Sequence, residues 1–403
     1  MTNTNKKTKV VLSIVGITVA SIVATIATVV SVIWIYLLIA LNDVSGLSFY
    51  DDERIVAAYQ SDESEAVHFV TENDRLYVTG GYSSSKNAKY KNVKGRKNET
   101  LGIWEPVLLF EGSIKTVVPY YGISALVITE NNDLYKVNIN EQTLLSENIQ
   151  YVCAGATSYK DYHNYIFTVD TDGNLREITA ENSEVIAENV SSAHYSNGII
   201  YALKANGDLF EIPYNSSYDV GEGRVIYSGV KSFDVKTTNT RYTDERGYYY
   251  DENAMPVINV LTVNDTLYVK GVYSLYEGWH SSVANPLEPL RSYSDWEIIA
   301  NNVDSFSLSP KGTLIKHLNG EVAYFGFDTV IGAENVEFAY KKLTDAPVST
   351  ISASVYGICI LLQDGTIMAW GNDGITAFDC DSNLDTNANI LSGTPIIIKQ
   401  PNS

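Results

Sequence analysis

The stretch Ile360–Trp370, ILLQDGTIMAW, is two apolar runs joined by a short turn that carries Asp364-Gly365. Asp-Gly between β-rich runs is a strong short-range signal for a hairpin, because the turn needs a residue at positive φ. The same phrase recurs along the chain as HFVTENDRLYV (68–78), LVITENNDLYKV (126–137), IFTVDTDGNLREI (166–178), YALKANGDLFEI (201–212), VLTVNDTLYV (260–269) and LIKHLNGEVAYF (314–325). The seven copies align on Leu76, Leu134, Leu175, Leu209, Leu267, Val322 and Ile367. Each is followed by a second apolar stretch ending in Val or Ile. Examples are FEGSI at Ile114, LSENI at Ile149, IAENV at Val190, IYSGV at Val230, IANNV at Val303 and GAENV at Val336. No copy has a helical apolar period.

Short strands repeating at this spacing predict an all-β fold, a β-propeller of most plausibly seven blades over residues 55–403. A solenoid of hairpins would leave two exposed sheet edges without capping sequence. The terminal TPIIIKQ (394–400) is an apolar strand with no hairpin after it. It is expected to pair into the first blade and remove the open edge.

The segment Val355–Asp373, with D-G-x-[IV]-x-x-W-G at Asp364–Gly371, resembles the regulator-of-chromosome-condensation repeat. The copies YYGISALVITENNDLY and YSNGIIYALKANGDLF are similar, with a Gly a few residues before the apolar strand. The resemblance implies a propeller. Family members that bind or inhibit extracellular proteins through one propeller face supply the functional expectation.

Val10–Asn42 contains 33 residues without a charge, between Lys9 and Asp43. About 20 apolar residues cross a bilayer core, and a cleaved signal peptide has an apolar region of only roughly 7–15. The expected organisation is a cytoplasmic tail at 1–9, a transmembrane signal anchor at 10–41, a stalk at 42–54 and an extracellular propeller at 55–403. Lys6, Lys7 and Lys9 precede the apolar run, and the positive-inside bias puts them in the cytoplasm. A single-pass protein of the cell membrane follows, its C-terminal domain outside. Lysine exceeds arginine 20 to 8, which points towards an AT-rich, low-GC bacterial genome.

The chain carries 48 acidic and 28 basic residues, a net charge of −20. Three of the 28 precede Asp43, so 43–403 has 25 basic against 48 acidic residues, a net −23. Nucleic acid is therefore excluded as a partner, since a phosphate backbone needs clustered positive charge. Three cysteines (153, 359, 380) make neither a disulfide framework nor a zinc site. Cys153 and Cys359 lie in apolar strands, where an inert buried thiol is expected. Ser83–Lys86 satisfies S-x-x-K without the S-D-N or K-T-G that would accompany it. Asp379, Asp381, Asn383 and Asp385 alternate as in a calcium loop, but Leu384 stands where Gly is required and no Glu closes the loop. No catalytic residue, metal site or cofactor is assigned.

Four insertions fall at the same place in the phrase, at 80–105, 214–223, 272–295 and 372–395, and should therefore emerge from one face of a propeller. They carry Tyr82, Tyr90, Trp104, Tyr214, Tyr218, Tyr273, Tyr276, Trp279 and Tyr293, with Trp296 just beyond. Aromatics of this kind either anchor a recognition surface or pack the loops onto the blades. The first insertion also holds KNAKYKNVKGRK (86–97), whose Lys89, Lys91 and Lys94 could meet an anionic partner. A further insertion, 237–255, falls in the other half of the phrase and is expected on a different face or rim. The reading that results is a non-catalytic binder of an extracellular protein or glycan. The alternative is a surface hydrolase of carbohydrate that uses carboxylates near the propeller axis.

Overall fold

In the computed structural model the described residues are 53–61, 66–80, 82–83, 101–102, 107–120, 122–139, 141–156, 164–178, 184–196, 198–214, 220–237, 241–244, 247–250, 256–274, 290–327, 338–354, 357–371 and 396–398. All lie in one compact unit, Leu47–Ser403. Every regular element among them is a strand. The uncharged run 10–42 and the sequence of the calcium-like alternation lie outside them.

Each B–C hairpin of the repeated phrase is built by its turn. The residue two before the aligned Leu, Val or Ile has positive φ in all seven copies: Asp74, Asn132, Gly173, Gly207, Asp265, Gly320 and Gly365. Its amide closes a tight turn, as when Asn132 N donates to Thr129 O at 2.9 Å and Gly365 N to Leu362 O at 3.0 Å. This is a three-residue loop, a type I turn followed by a left-handed residue, which is why Gly, Asn or Asp stands there. The aligned Leu, Val or Ile then points inward and is fully buried in all seven copies.

Seven antiparallel four-stranded sheets result. Taking strands A to D in chain order, blade 1 is Ile55–Gln60, Ala66–Thr71, Arg75–Gly80 and Val107–Glu111. Blade 2 is Ile114–Pro119, Ala125–Thr129, Leu134–Asn138 and Glu141–Ser146; blade 3 is Ile149–Ala156, Asn164–Asp170, Leu175–Glu177 and Val185–Ala187. Blade 4 is Val190–Ser196, Ile199–Lys204, Leu209–Pro213 and Arg224–Tyr227; blade 5 is Val230–Lys236, Val257–Thr262, Leu267–Ser274 and Leu290–Ala300. Blade 6 is Val303–Ser309, Gly312–His317, Val322–Phe327 and Phe338–Thr344; blade 7 is Val348–Ala353, Gly357–Leu362, Ile367–Gly371 and Ile396–Ile398. Each A strand touches the A strand of the next blade, and the A strands of blades 7 and 1 touch as well, so the A strands form a closed inner ring. The fold is a seven-bladed β-propeller.

The Val or Ile that ends the sequence phrase begins the A strand of the following blade rather than closing its own. The Asn or Gly before it is left-handed at Asn148, Asn189, Asn302 and Gly229, and there it staples two blades. Ile149 N donates to Asn132 O in the B–C turn of blade 2, while Asn148 O accepts from Thr171 N in that of blade 3, both at 2.8 Å. The same pair recurs at Val190/Gly173 with Ala205/Asn189, and at Val230/Gly207 with Val263/Gly229. Backbone groups at the junctions are thus satisfied by neighbouring blades, which a single hairpin could not do. Replacing Asn189 by Ala should cost about 1 kcal/mol through the left-handed backbone, whereas Asn189→Gly should be nearly neutral. Chemical denaturation of the two variants checks this.

Two expectations are corrected here. GAENV at Val336 does not end a blade: the chain continues into Phe338–Thr344, and Val348 opens blade 7 after Pro347, whose carbonyl accepts from Gln363 N at 2.8 Å. The sixth copy therefore also has a long C–D connection. TPIIIKQ does not pair into blade 1, because Ile396–Ile398 completes blade 7 against Ile367, Met368 and Ala369. Blade 1 already has its own four strands. The ring closes without a shared strand, chiefly by packing of Ile55, Ala58, Phe69 and Tyr77 of blade 1 against Cys359, Leu361, Ile367 and Ala369 of blade 7. Gln60 N donating to Ser352 Oγ at 2.9 Å adds a buried hydrogen bond across that seam.

Candidate functional site

Antiparallel strands send A–B and C–D connections out of one end of a blade, and B–C and D–A connections out of the other. The four insertions lie between strands C and D of blades 1, 4, 5 and 7. They leave one face of the ring, as their common place in the phrase requires. The segment 237–255 lies between strands A and B of blade 5, so it leaves by the same face and not by another. Its end confirms this. A Cβ on Gly271, at φ +104 in the C strand of blade 5, would lie 1.8 Å from Pro256 O. The roots of the two blade-5 insertions therefore run side by side, and only glycine permits the approach. The opposite face carries the seven short B–C turns and the interblade staples.

The stems of two insertions are themselves hairpins. Tyr82–Ser83 pairs with Leu101–Gly102, and Arg241–Asp244 pairs with Gly247–Tyr250. Beyond that stem, Tyr90, Trp104, Lys89, Lys91 and Lys94 lie outside the described residues, as do Tyr218, Tyr276 and Trp279. The side chain of Tyr82 does too.

Three of the candidate anchors are core residues, which corrects their reading as a binding surface. Tyr214 is buried in the blade 3–4 core, edge-on to Phe167 at 5.4 Å and to Tyr165 at 6.1 Å, with its hydroxyl donating to Glu177. Tyr273 is fully buried. Its hydroxyl meets Asn259 Oδ1 at 3.2 Å and Thr313 Oγ1 at 2.6 Å, while Asn259 Nδ2 donates to Thr313 Oγ1 at 2.6 Å. These three groups close a hydrogen-bonded triangle between blades 5 and 6. Tyr293 packs edge-on to Tyr273 at 6.2 Å. Trp296 is half-buried against Tyr227 at 4.9 Å, with Lys270 Nζ 5.8 Å above its ring. The three buried tyrosines fix the roots of the insertions.

Sequence reasoning missed a polar chain across three inner strands. Tyr151 of blade 3, His194 of blade 4 and Asp234 of blade 5 are joined by contacts of 3.0 Å (Tyr151 Oη to His194 Nε2) and 3.3 Å (His194 Nδ1 to Asp234 Oδ1). A carboxylate only accepts, so Nδ1 carries the proton and Nε2 accepts from the tyrosine. Lys236 Nζ stands 3.9 Å from Asp234 Oδ1. Burial lowers the His194 pKa, Asp234 opposes this and Lys236 adds to it, so the ring is neutral at neutral pH. Tyr151 is pushed well above the usual tyrosine range, chiefly by burial. Cys153, on the same strand, is pushed up to about 12 by burial and is no nucleophile. Both nitrogens of His194 are occupied by protein groups. The chain ties blades 3, 4 and 5 together and offers no ring nitrogen to a ligand. Residues 43 and 40 positions apart cannot be matched by spacing alone, so no motif could have revealed it.

The other two histidines among the described residues, His68 and His317, have structural settings. His68 is fully buried in the B strand of blade 1 and its Nε2 meets Ile123 O of blade 2 at 3.1 Å. His317 Nε2 meets Tyr340 Oη at 2.6 Å at the outer edge of blade 6. Cys359, at the closing seam, is pushed up to about 12 by burial. Among the described residues, no group of three or more His, Cys, Asp or Glu side chains is placed to hold a metal ion.

No protein-family profile and no curated protein matches the chain. Solved structures do. Human WBSCR16 is similar at 13% identity and TM-score 0.38, over 88% of this chain and 83% of that one. Hsv2 of Kluyveromyces lactis is similar at 10% identity and TM-score 0.47, over 87% of this chain and 100% of that one. Prp20p of Saccharomyces cerevisiae is similar at 13% identity and TM-score 0.38, over 86% and 77%. The seven-bladed fold rests on the sheets described above, and these likenesses add nothing finer.

Proposed function

We propose that the chain is a membrane-tethered extracellular β-propeller, a divergent member of the regulator-of-chromosome-condensation-type repeat proteins, that binds a protein or glycan without catalysis. The observation that carries this is the asymmetry of the ring. Every long insertion, 237–255 included, belongs to one face, while the other is built from seven near-identical three-residue turns. A rigid ring presenting variable loops on one side is suited to recognition, because loop composition can vary without disturbing the staples beneath. Prp20p, a structure of similar fold, has binding properties towards Gsp1p and histones; the precedent is for that protein. The neutral, fully engaged His194 supports the non-catalytic side of the reading.

Burial of Tyr214, Tyr273 and Tyr293 narrows the anchors to Trp104 and Trp279, with Tyr82, Tyr90, Tyr218 and Tyr276 around them. Truncating Trp279 or Trp104 to Ala should cost about 2 kcal/mol of binding and leave the ring's melting temperature unchanged. Neutralising Lys89, Lys91 and Lys94 together should weaken binding only of an anionic partner, and more at low salt than at high. Titrating a captured surface protein or glycan against the full-length variants measures both. Unchanged affinity in all of them, together with a carboxylate-dependent glycan hydrolysis, would replace binding by the enzyme alternative.

A further inference from the structure

We infer that the B–C side of blades 5 and 6 is a self-association surface, on which a second copy of this chain docks in a two-fold contact opposite the insertions. Val263, Ile298 and Leu318 are the three most exposed large apolar side chains among the described residues, at 64%, 56% and 56%, and Tyr340 is 45% exposed. All four surround the junction between the two blades. Asp265 O, in the turn that carries Val263, accepts from Val303 N at 2.9 Å, and Leu318 N donates to Asn302 O at 2.8 Å. His317, next to Leu318, donates from Nδ1 to Asn301 O at 3.1 Å and accepts at Nε2 from Tyr340 Oη. Ile298 stands three residues before Asn301, near the end of strand D.

The fold does not ask for these side chains. The first residue of the B–C turn is Glu72, Glu130, Thr171, Ala205, Val263, Leu318 and Gln363 in blades 1 to 7. In every blade its backbone N–H donates to the carbonyl just before strand A. Only the main chain is engaged, so an acidic or polar side chain serves that staple as well as Val or Leu. Strand D carries an exposed apolar side chain in blades 1 to 4 too (Leu108, Leu144, Val185 and Val225), so that residue alone marks nothing. In blades 5 and 6 it adjoins apolar turns, and contiguous exposed apolar surface marks a contact site. Charge selects the occupant. The carboxylates around this sector are matched, Asp265 by Lys231 at 2.9 Å, Asp304 by Lys316 at 3.1 Å and Glu321 by Lys342 at 3.1 Å. Among the described residues no lysine or arginine pairs with Glu72, Glu130 or Asp133 in the turns of blades 1 and 2. A cationic partner would be drawn there instead. A second copy, itself of net charge −20, is met without repulsion where the charges already cancel. A two-fold contact sets this sector against itself.

Residues that other blades already carry can be copied into the sector. Val263→Glu with Leu318→Glu reproduces blades 1 and 2 at the stapled position, so the ring should keep its melting temperature. The full-length parent in detergent micelles should pass from monomer to dimer between about 1 and about 100 μM by sedimentation velocity. The Glu pair should weaken that dimer at least about 100-fold, because like charges then face one another across the two-fold axis. Val263→Thr with Leu318→Gln, the residues of blades 3 and 7, should weaken it about 10-fold, and carries the test alone if the Glu pair melts lower. Glu130→Gln, at the same position of blade 2, should leave the dimer unchanged. A parent that stays monomeric throughout overturns the inference. So does a dimer that survives both pairs, which other residues such as the uncharged run 10–42 would then hold. Binding of a different protein that the Glu pair abolishes, with the parent monomeric, gives the surface to that partner and equally ends the self-association. None of these outcomes touches the reading of the insertion face, which the Trp104 and Trp279 variants test separately.

Discussion

Tyr273→Ala should lower the stability of the propeller by about 4 kcal/mol. The residue was a candidate anchor by its position in an insertion, yet no part of it reaches water. Truncation removes a fully buried aromatic ring that packs against Tyr293, Phe325 and Phe338, with centroids 5.6–6.2 Å away. Such truncations cost about 3–5 kcal/mol, transfer and cavity terms together. It also strips Asn259 Oδ1 and Thr313 Oγ1 of a shared partner in a dry interface. Tyr273→Phe separates the two effects. The ring stays, the triangle opens, and a loss of about 1–2 kcal/mol should remain, the cost of buried polar groups left short of one bond. Denaturant titrations of the three proteins give the comparison. A Tyr273→Ala protein as stable as the parent would mean that the blade 5–6 interface is not packed as described.

The second large effect is acid destabilisation through His68. Burial lowers its pKa to about 4, although the Ile123 and Ser124 backbone contacts oppose the shift. In the unfolded chain the ring titrates near 6.5. Between these values the unfolded state binds the proton and the folded state does not, so stability rises with pH across that window. The contribution is fully present above about pH 6.5 and is lost as the pH falls towards 4. Over the whole window it amounts to about 3 kcal/mol for this one fully buried group. His194 is shifted in the same direction and adds to the same slope. His68→Gln should flatten the dependence between pH 6.5 and 4, since Gln can still donate towards Ile123 O and does not titrate. Melting temperatures of both proteins at half-unit intervals read this directly. A parent curve flat over the window would show that His68 is hydrated and free to charge in the folded ring.

The two effects lie on opposite kinds of interface. Tyr273 joins blades 5 and 6 with polar groups that all find partners. His68 joins blades 1 and 2 with Nδ1 buried and unpartnered, and Glu53 Oε2, Gln60 Oε1, Thr71 Oγ1 and Thr350 Oγ1 share that condition among the described residues. All five belong to blades 1 and 7, which meet at the seam that no shared strand closes. Buried polar atoms without partners cost stability, so acid and denaturant should act first around blade 1, at its interfaces with blades 7 and 2.

The amino-acid sequence by itself determined the blade. Its strands are short apolar runs, its turns demand a left-handed residue, and both requirements are local, so Asp74, Asn132, Gly173, Gly207, Asp265, Gly320 and Gly365 announce seven hairpins without reference to anything distant. The common position of the insertions followed from the same local phrase, and with it the face they share. Tertiary structure decided everything that depends on which blade lies beside which. Strand order, not the apolar character of TPIIIKQ, chose its partner, because blade 1 already had four strands and the third strand of blade 7 lacked a neighbour. Antiparallel geometry carried 237–255 to the face of the other insertions although it sits in the other half of the phrase. For Tyr214, Tyr273 and Tyr293 the choice between facing a partner and packing the loops stays open in the sequence, because aromatic loop residues look alike there. Their burial depends on rings such as Phe167 and Phe325 that come from other strands or the next blade. The Tyr151–His194–Asp234 chain is the extreme case: its three members stand on three strands of three blades, and only the packing of successive blades brings their hydrogen-bonding atoms within 3.0–3.3 Å.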